Sequence, residues 1–300
     1  MTDTKRNWIS PAEFENFPPS READSHKGNY GHLTVTAGSM GFHGAAVLAA
    51  RAAQRAQPGL ITVMAQEAVY YPIASQLQAV MVDVWSADIH RFEKSTGLLF
   101  GPGLAAADMA ESVRVLFRRL WRDSSAPVVV DASAIIWLVP HSLGKDLIRV
   151  VTPHPGEAAN FLKQPVAQLQ AHREAALREI SRRLGNCWVV LKGYHTLVGR
   201  SEGEIFVNPT GNPHLAQGGS GDVLSGFLSG LLAQPALQAN PGRTIRYAVW
   251  QHGAGADPTG VGGQDDADQT VAAAGGVVDH PAGLVLLAKV AQPLTQFRSA

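Results

Sequence analysis

A glycine run ending in an aspartate, Gly218-Gly219-Ser220-Gly221-Asp222, opens an apolar stretch that continues through Val223, Leu224 and Gly226. Glycines directly before an apolar helix let the backbone approach an anion with its N–H groups exposed, and the helix N-terminus adds partial positive charge. That dipole contributes only ~0.3–1 kcal/mol at an exposed site, so alone it describes an anion site and no reaction. Asp222 changes the reading, because a carboxylate at the same helix mouth repels a bound phosphate unless it has a task. Beside phosphoryl transfer that task is to accept the proton of an attacking hydroxyl, typically worth ~10²–10⁴ in rate. Without further context the same aspartate could as well cap the helix. No Gly-x-x-x-x-Gly-Lys-Ser/Thr run occurs, so this is not a Walker A loop.

Three other clusters carry chemistry. Lys192, at a strand end beside the flexible Gly193, can reach an anionic ligand as a point charge, although strand-end lysines are usually just solvated. Thr152-Pro153-His154-Pro155-Gly156-Glu157 follows a strand, where open α/β sheets bind ligands, and its two prolines fix the backbone and present the His154 imidazole. No second His or Cys stands at ligand spacing from His154, which argues against a metal there. Gly101-Pro102-Gly103-Leu104-Ala105-Ala106 fits Gly-x-Gly-x-x-Ala with Asp123 about twenty residues on, the outline of a dinucleotide fingerprint. It is not in the first βαβ unit, however, and Asp123 falls in Arg122-Asp123-Ser124-Ser125, a loop pattern. Gly44-Ala45-Ala46 offers close approach where a larger side chain would intrude. Cys187 lies in the apolar run Cys187–Leu191 and reads as a buried thiol.

The elements that must position these residues alternate between β-branched runs and Ala/Leu/Arg stretches, the pattern of βα units around a mainly parallel sheet. Strands are expected at 32–37, 60–63, 97–100, 127–131, 147–151, 189–191, 196–198 and 205–207. Helices are expected at 45–57, 108–121, 164–184 and 222–233. Residues 1–27, read as an N-terminal extension, and the loop 253–263 show the weakest order. No repeat or long linker divides the 300 residues, so a single three-layer α/β domain over 1–300 is expected.

Composition removes whole classes of function. Hydrophobic residues make up 45% and charged ones 17%, enough apolar material for a sizeable core. Lys+Arg and Asp+Glu both number 25, so there is no basic excess of the kind nucleic acid selects. The first residues are polar and run into Pro11 without a signal-peptide core, and no uncharged apolar stretch approaches the ~20 residues of a membrane helix. One cysteine excludes an internal disulfide and a cysteine-built zinc site and leaves a reducing cytoplasm as the default.

Beside the glycine run ending in Asp222, eight segments occur in one family's order from about residue 25 to residue 226: Ser25–Gly31, Ala37-Gly38-Ser39, Gly44-Ala45-Ala46, Gly101–Leu104, Val130-Asp131-Ala132, Thr152–Glu157, Leu191-Lys192-Gly193 with Thr196, and Asn208-Pro209-Thr210-Gly211-Asn212. On these the chain resembles the ADP- or ATP-dependent NAD(P)H-hydrate dehydratases of the ribokinase-like superfamily. The resemblance implies a three-layer ribokinase-like fold and a lyase that phosphorylates the hydroxyl of hydrated NADH or NADPH (S epimer) and then releases phosphate, with ADP favoured. It implies Asp222 as base, with the amides around Gly219 and Gly221 as anion hole. It further implies nucleotide contacts at Lys192, Gly193, Tyr194, His195, Thr196 and Gly221, and substrate contacts at Ala45, Gly103, His154 and Asp222. Magnesium is expected because phosphoryl transfer needs charge neutralisation, with Glu157 helping to organise it. A homo-oligomer is implied too, with the Ala-rich helix 45–57 or the C-terminal apolar stretch as candidate interfaces. The epimerase domain that some relatives carry N-terminally is not expected, since about 25 residues precede the first motif.

Some positions depart from the family. Ser133 stands where many members carry a second aspartate, which puts a metal or structural role there in doubt. Ala105 replaces a frequent glycine, and the glutamate often found before Val80-Met81 is absent. Two rivals remain at this stage. One is a small-molecule kinase of the same superfamily that keeps the phosphate on its product, and the other is a non-catalytic nucleotide-binding protein.

Overall fold

The apolar runs do become strands. The computed structural model describes residues 6–104, 109–144 and 146–256. Among these, ten strands are seen: β1 (Asn7–Trp8), β2 (His32–Thr36), β3 (Leu60–Ala65), β4 (Met81–Val84), β5 (Gly97–Phe100), β6 (Val128–Val130), β7 (Arg149–Val151), β8 (Trp188–Leu191), β9 (Leu197–Gly199) and β10 (Phe206–Val207). They form one sheet in the order β1-β10-β9-β8-β7-β6-β5-β2-β3-β4. Only β9 runs antiparallel to its neighbours; every other pairing is parallel. The helices are α1 (His43–Ala56), α2 (Tyr70–Ala74), α3 (Glu111–Asp123), α4 (Pro155–Leu162), α5 (Val166–Ala171), α6 (Arg173–Arg183), α7 (Ser220–Leu232), α8 (Pro235–Gln238) and α9 (Pro241–Ala256).

Central strands read as unbroken apolar runs because both faces of the sheet are covered. Side chains alternate along each strand. Leu99, Val129, Val150 and Val190 join α1, α7 and α9 in one core, while Leu98, Val128, Val151 and Val189 join α3, α4 and α6 in the other. The result is the expected three-layer α/β sandwich. On the first face α1 and α7 lie so close that a Cβ on Gly226 would stand 2.1 Å from the Ala49 carbonyl oxygen. The Ala-rich helix considered as an interface between copies therefore buries its alanines inside this chain: Ala46, Ala49, Ala50, Ala52 and Ala53 have no exposed surface.

Three expectations need correction. The supposed N-terminal extension is built into the fold from its first described residues. β1 pairs with β10, and Ile9 and Phe14 are buried in the core. The Thr152–Glu157 segment, expected after a strand, does follow β7 and runs on into α4, which starts at Pro155, a residue suited to the first helical position. The single helix expected over 164–184 is broken at His172, whose φ of −136° and ψ of 48° end α5 and restart the chain as α6. Gly253–Ala256 belongs to α9 and not to a loop; the remainder of that loop and the C-terminal apolar stretch lie outside the described residues.

Candidate functional site

The parallel strands deliver nearly all of the singled-out residues to one edge. Gly38 follows β2, Gly101–Gly103 follows β5, Asp131 follows β6, Thr152–His154 follows β7 and Lys192 follows β8. Such C-terminal edges are where open α/β sheets hold ligands.

Lys192 is at the centre. Its Nζ donates to Asp131 Oδ1 at 2.8 Å and stands 3.9 Å from Glu157 Oε2. Asp131 is 1% exposed, and its Oδ1 also accepts the Thr152 hydroxyl at 2.7 Å. The start of α7 closes over this pair, since a Cβ on Gly221 would lie 3.1 Å from Lys192 Nζ and 3.9 Å from Asp131 Oδ2. Burial pushes the Asp222 carboxyl up to about 7, helped by repulsion from Asp131 and Glu157 and opposed by Lys192. Burial would lower the Lys192 ammonium, but Asp131, Glu157 and Asp222 outweigh it and hold the lysine above its ordinary value. Burial likewise raises Glu157, against the pull of Lys192. A carboxylate poised near neutrality is what general-base work at neutral pH requires. Helix capping is not the role of Asp222: Gly219, with φ of 91°, is the N-cap of α7, and no side chain caps it.

The amides at the start of α7 are held from behind. His252 in α9 donates from Nε2 to the Ser220 carbonyl at 3.0 Å, and burial keeps that ring neutral by lowering its pKa to about 4. The Asn208–Asn212 segment docks on the same helix. Thr210 Oγ1 donates to the Trp250 carbonyl at 2.8 Å, and Asn212 Nδ2 donates to the Ala256 carbonyl at 2.7 Å.

His154 and Glu157 form the N-terminal cap of α4. The His154 Nδ1 accepts from the Gly156 and Glu157 amides at 3.0 and 3.3 Å, and Glu157 Oε2 accepts from the His154 amide at 2.8 Å. With Nδ1 an acceptor, a neutral ring carries its proton on Nε2, 3.3 Å from Glu157 Oε1. The imidazole remains about half exposed at the crevice edge. Among the described residues no group of three His, Cys, Asp or Glu is arranged to hold a metal ion. The carboxylates here surround an ammonium instead.

In the Lys192–Thr196 turn, Tyr194 is exposed and stacks on His195 at 3.8 Å, while Trp8 meets the His195 ring edge-on at 4.9 Å. Thr196 Oγ1 donates to the Gly193 carbonyl at 3.0 Å. Ala45 and Gly103 form a second group: a Cβ on Gly103 would lie 2.8 Å from the Ala45 Cβ. Ser39 Oγ fixes that turn by donating to the Gly103 carbonyl at 2.8 Å, and the Ser133 hydroxyl donates to the Leu104 carbonyl. Ser133 thus holds the turn after β5. Leu48, one helical turn after Ala45, packs where a Cβ on Gly219 would be, so the starts of α1 and α7 face each other. At Gly44 a Cβ would meet nothing within 4 Å, so its openness is not a packing demand of the chain. Asp123 ends α3, paired with Arg122 at 2.7 Å, away from any ribose-binding position after a strand.

The sequence reading missed Asp131, Thr152, His252 and Arg173 as supports of the site. Asp131 and Thr152 were visible only as members of motifs. The others act across the fold, at sequence distances no local pattern covers.

Comparison with known proteins agrees with this architecture. The family described as NAD(P)H-hydrate dehydratase matches residues 33–260. The ADP-dependent (S)-NAD(P)H-hydrate dehydratase of Neisseria meningitidis serogroup B is 37% identical, over 85% of this chain and 86% of its own. The crystal structure of the ADP/ATP-dependent NAD(P)H-hydrate dehydratase from Bacillus subtilis, co-crystallised with ATP/Mg2+, superposes with a TM-score of 0.74 at 32% identity, covering 84% of this chain and 89% of that one. A ribokinase-like superfamily protein from Enterococcus faecalis superposes with a TM-score of 0.69 at 26% identity, over 85% and 89% of the two chains.

Proposed function

The chain belongs to the NAD(P)H-hydrate dehydratase family, and from that premise we propose that it returns hydrated NADH or NADPH, in the S form, to the reduced cofactor at the expense of an adenine nucleotide. Asp222 takes the proton of the substrate hydroxyl as that oxygen attacks the terminal phosphorus. The bond from phosphorus to the nucleotide's bridging oxygen breaks, and AMP leaves from ADP, or ADP from ATP. The carbon–oxygen bond then breaks with loss of phosphate, and the neighbouring carbon loses a proton to restore the double bond. The N–H groups around Gly219 and Gly221 take up charge on the transferred group. The observation that carries this reading is the raised Asp222 carboxyl at the glycine-rich start of α7, beside the buried Asp131–Lys192 pair.

Lys192, Gly193, Tyr194, His195 and Thr196 bind the nucleotide, and Ala45, Gly103 and His154 bind the hydrated cofactor. ADP is the favoured donor, as in the name of the Neisseria relative. Magnesium would be held as a companion of the nucleotide, with phosphate oxygens as its main ligands and Glu157 as the carboxylate of this chain that would help to organise it. When bound it neutralises phosphate charge. We take a single domain and homo-oligomerisation from the family resemblance, and a reducing cytoplasm from the lone, buried Cys187. Among the described residues no helix is long and apolar enough to cross a membrane.

The test is recovery of reduced-nicotinamide absorbance from enzymatically prepared NADH hydrate with magnesium and ADP, ATP or neither. Recovery that needs a nucleotide is expected, faster with ADP. A stable phosphorylated product without recovery would replace this reading with the small-molecule kinase.

A further inference from the structure

We propose that Arg173 is the positioning residue of the nucleotide turn, a role resting on the reading of Lys192–Thr196 as the nucleotide segment. Arg173 is the first residue of α6, placed there by the break at His172. Its guanidinium lies beneath the turn between β8 and β9 and donates to four carbonyls, that of Leu191 at the end of β8 and three in the turn that follows. Nη2 donates to Leu191 at 3.1 Å and to Lys192 at 3.3 Å, and Nη1 donates to His195 at 3.2 Å and to Tyr194. A planar fork of fixed donors is the side chain suited to holding several carbonyls in one arrangement, and lysine cannot reproduce it.

Gly193 supports the assignment independently. Its φ is +125°, and a Cβ there would approach Arg173 Nη2 at 3.4 Å. The contact itself is ordinary; it is the positive φ that calls for glycine, and with it the flanking carbonyls of Lys192 and Tyr194 face the guanidinium. The electrostatics point the same way. Four carbonyl oxygens left free at the mouth of a nucleotide site would repel phosphate; turned onto a half-buried cation, they do not. Burial lowers the Arg173 pKa but leaves a guanidinium charged at neutral pH. Arg173 therefore acts through the turn.

The test measures nucleotide and hydrated-cofactor constants separately, with the melting temperature, for Arg173→Ala and Arg173→Lys. Charge-assisted hydrogen bonds contribute enough that losing the set should raise the apparent nucleotide KM about tenfold or more. The hydrated-cofactor KM should stay within about twofold and kcat within about threefold (the same affinity arithmetic applies). Arg173→Lys keeps the charge without the fork and should fall between, with a melting temperature near wild type. A purely structural arginine would instead lower the melting temperature with an unchanged nucleotide KM, and that result overturns the proposal. Should Arg173→Ala fail to fold, an unchanged nucleotide KM in Arg173→Lys overturns it, and a raised one supports it. Thr196→Val, run in parallel, separates the two readings. A raised nucleotide KM in Thr196→Val with none in the Arg173 variants removes Arg173 alone. No rise in any of the three removes the nucleotide turn itself and the proposal with it.

Discussion

Asp131 and Lys192 meet 2.8 Å apart at the bottom of the crevice, the aspartate delivered by the end of β6 and the lysine by the end of β8. β7 lies between those strands and contributes Thr152, whose hydroxyl takes the same Asp131 oxygen at 2.7 Å. The lysine is thereby held toward Gly221 and Asp222, where a strand-end lysine left to itself would turn to solvent. On the proposed reading, an anchored cation at the head of the Lys192–Thr196 turn can face a phosphate without losing its place beside Asp222.

Asp131→Asn should damage both stability and the electrostatics of the base. Removing one member of a buried ion pair costs ~3–5 kcal/mol, and the low end applies here because Glu157 and Asp222 still face Lys192. At roughly 2–4 °C per kcal/mol for a chain of this class, the melting temperature should fall by about 6 °C or more. Repulsion from Asp131 helps hold the Asp222 carboxyl up, so the rising limb of the pH–rate profile should also move to lower pH. Thermal melts and a pH profile check the two parts, and a wild-type result in both would remove the pair from the site.

With Asp222 as the proposed base, its carboxyl should set the acid side of that profile. Its carboxyl lies near 7 in the folded protein, and only the ionised form can accept a proton, so kcat/KM should rise with pH through about 7. Asp222→Asn should lower kcat by on the order of 10²-fold or more. Nucleotide affinity should hold, because the amide repels phosphate less than the carboxylate does. Turnover near wild type in this variant would exclude Asp222 as base.

The same shift has a consequence for stability with the opposite sign. Asp222 is raised from 3.8 to about 7 on folding, so its neutral form is the one the fold favours. The stability it confers is fully present below about pH 4 and is lost as pH rises through about 7. Asp222→Asn should therefore raise the melting temperature at pH 8 and leave it much closer to wild type at pH 5. Melts at the two pH values decide this, and a variant that melts lower at pH 8 would show that the carboxylate is favoured by the fold.

Much of this arrangement is legible in the sequence because it is local. The glycine run before α7 announces an anion site, and β-branched runs followed by Gly101, Asp131 and Lys192 mark strand ends. Other parts are not local. The start of α4 escapes notice because a histidine caps it, folding Nδ1 back onto the Gly156 and Glu157 amides. Ser, Thr, Asp and Asn are the usual signals there. The break at His172 interrupts a stretch of continuous helical pattern, and its purpose shows only when Arg173 is seen against a turn some twenty residues later. α9 hides behind glycines and aromatics whose partners, Asn208–Asn212, lie about forty residues upstream.

Gly103 and Gly44 give the sharpest contrast for the substrate pocket, since one is packed and the other open. Gly103 has a φ of +62°, and a Cβ there would come 2.4 Å from the Phe42 carbonyl and 2.8 Å from the Ala45 Cβ. Backbone cannot yield as a flexible side chain can, so Gly103→Ala must displace the start of α1 and lower the melting temperature. At Gly44, in the first turn of α1, a Cβ meets nothing of the protein within 4 Å. Gly44→Ala should leave the melting temperature unchanged or raise it slightly, since alanine is favoured over glycine in a helix by roughly 0.5–1 kcal/mol. If the hydrated cofactor lies against Ala45 and Gly103, both variants should raise its KM, while the nucleotide KM stays within about twofold of wild type (less than 0.5 kcal/mol on the ~1.4 kcal/mol-per-decade scale). The Gly44 result is the more telling because no change in the protein's own packing can mimic it. Unchanged hydrated-cofactor KM in Gly44→Ala, from protein that melts normally, would move the substrate away from the start of α1.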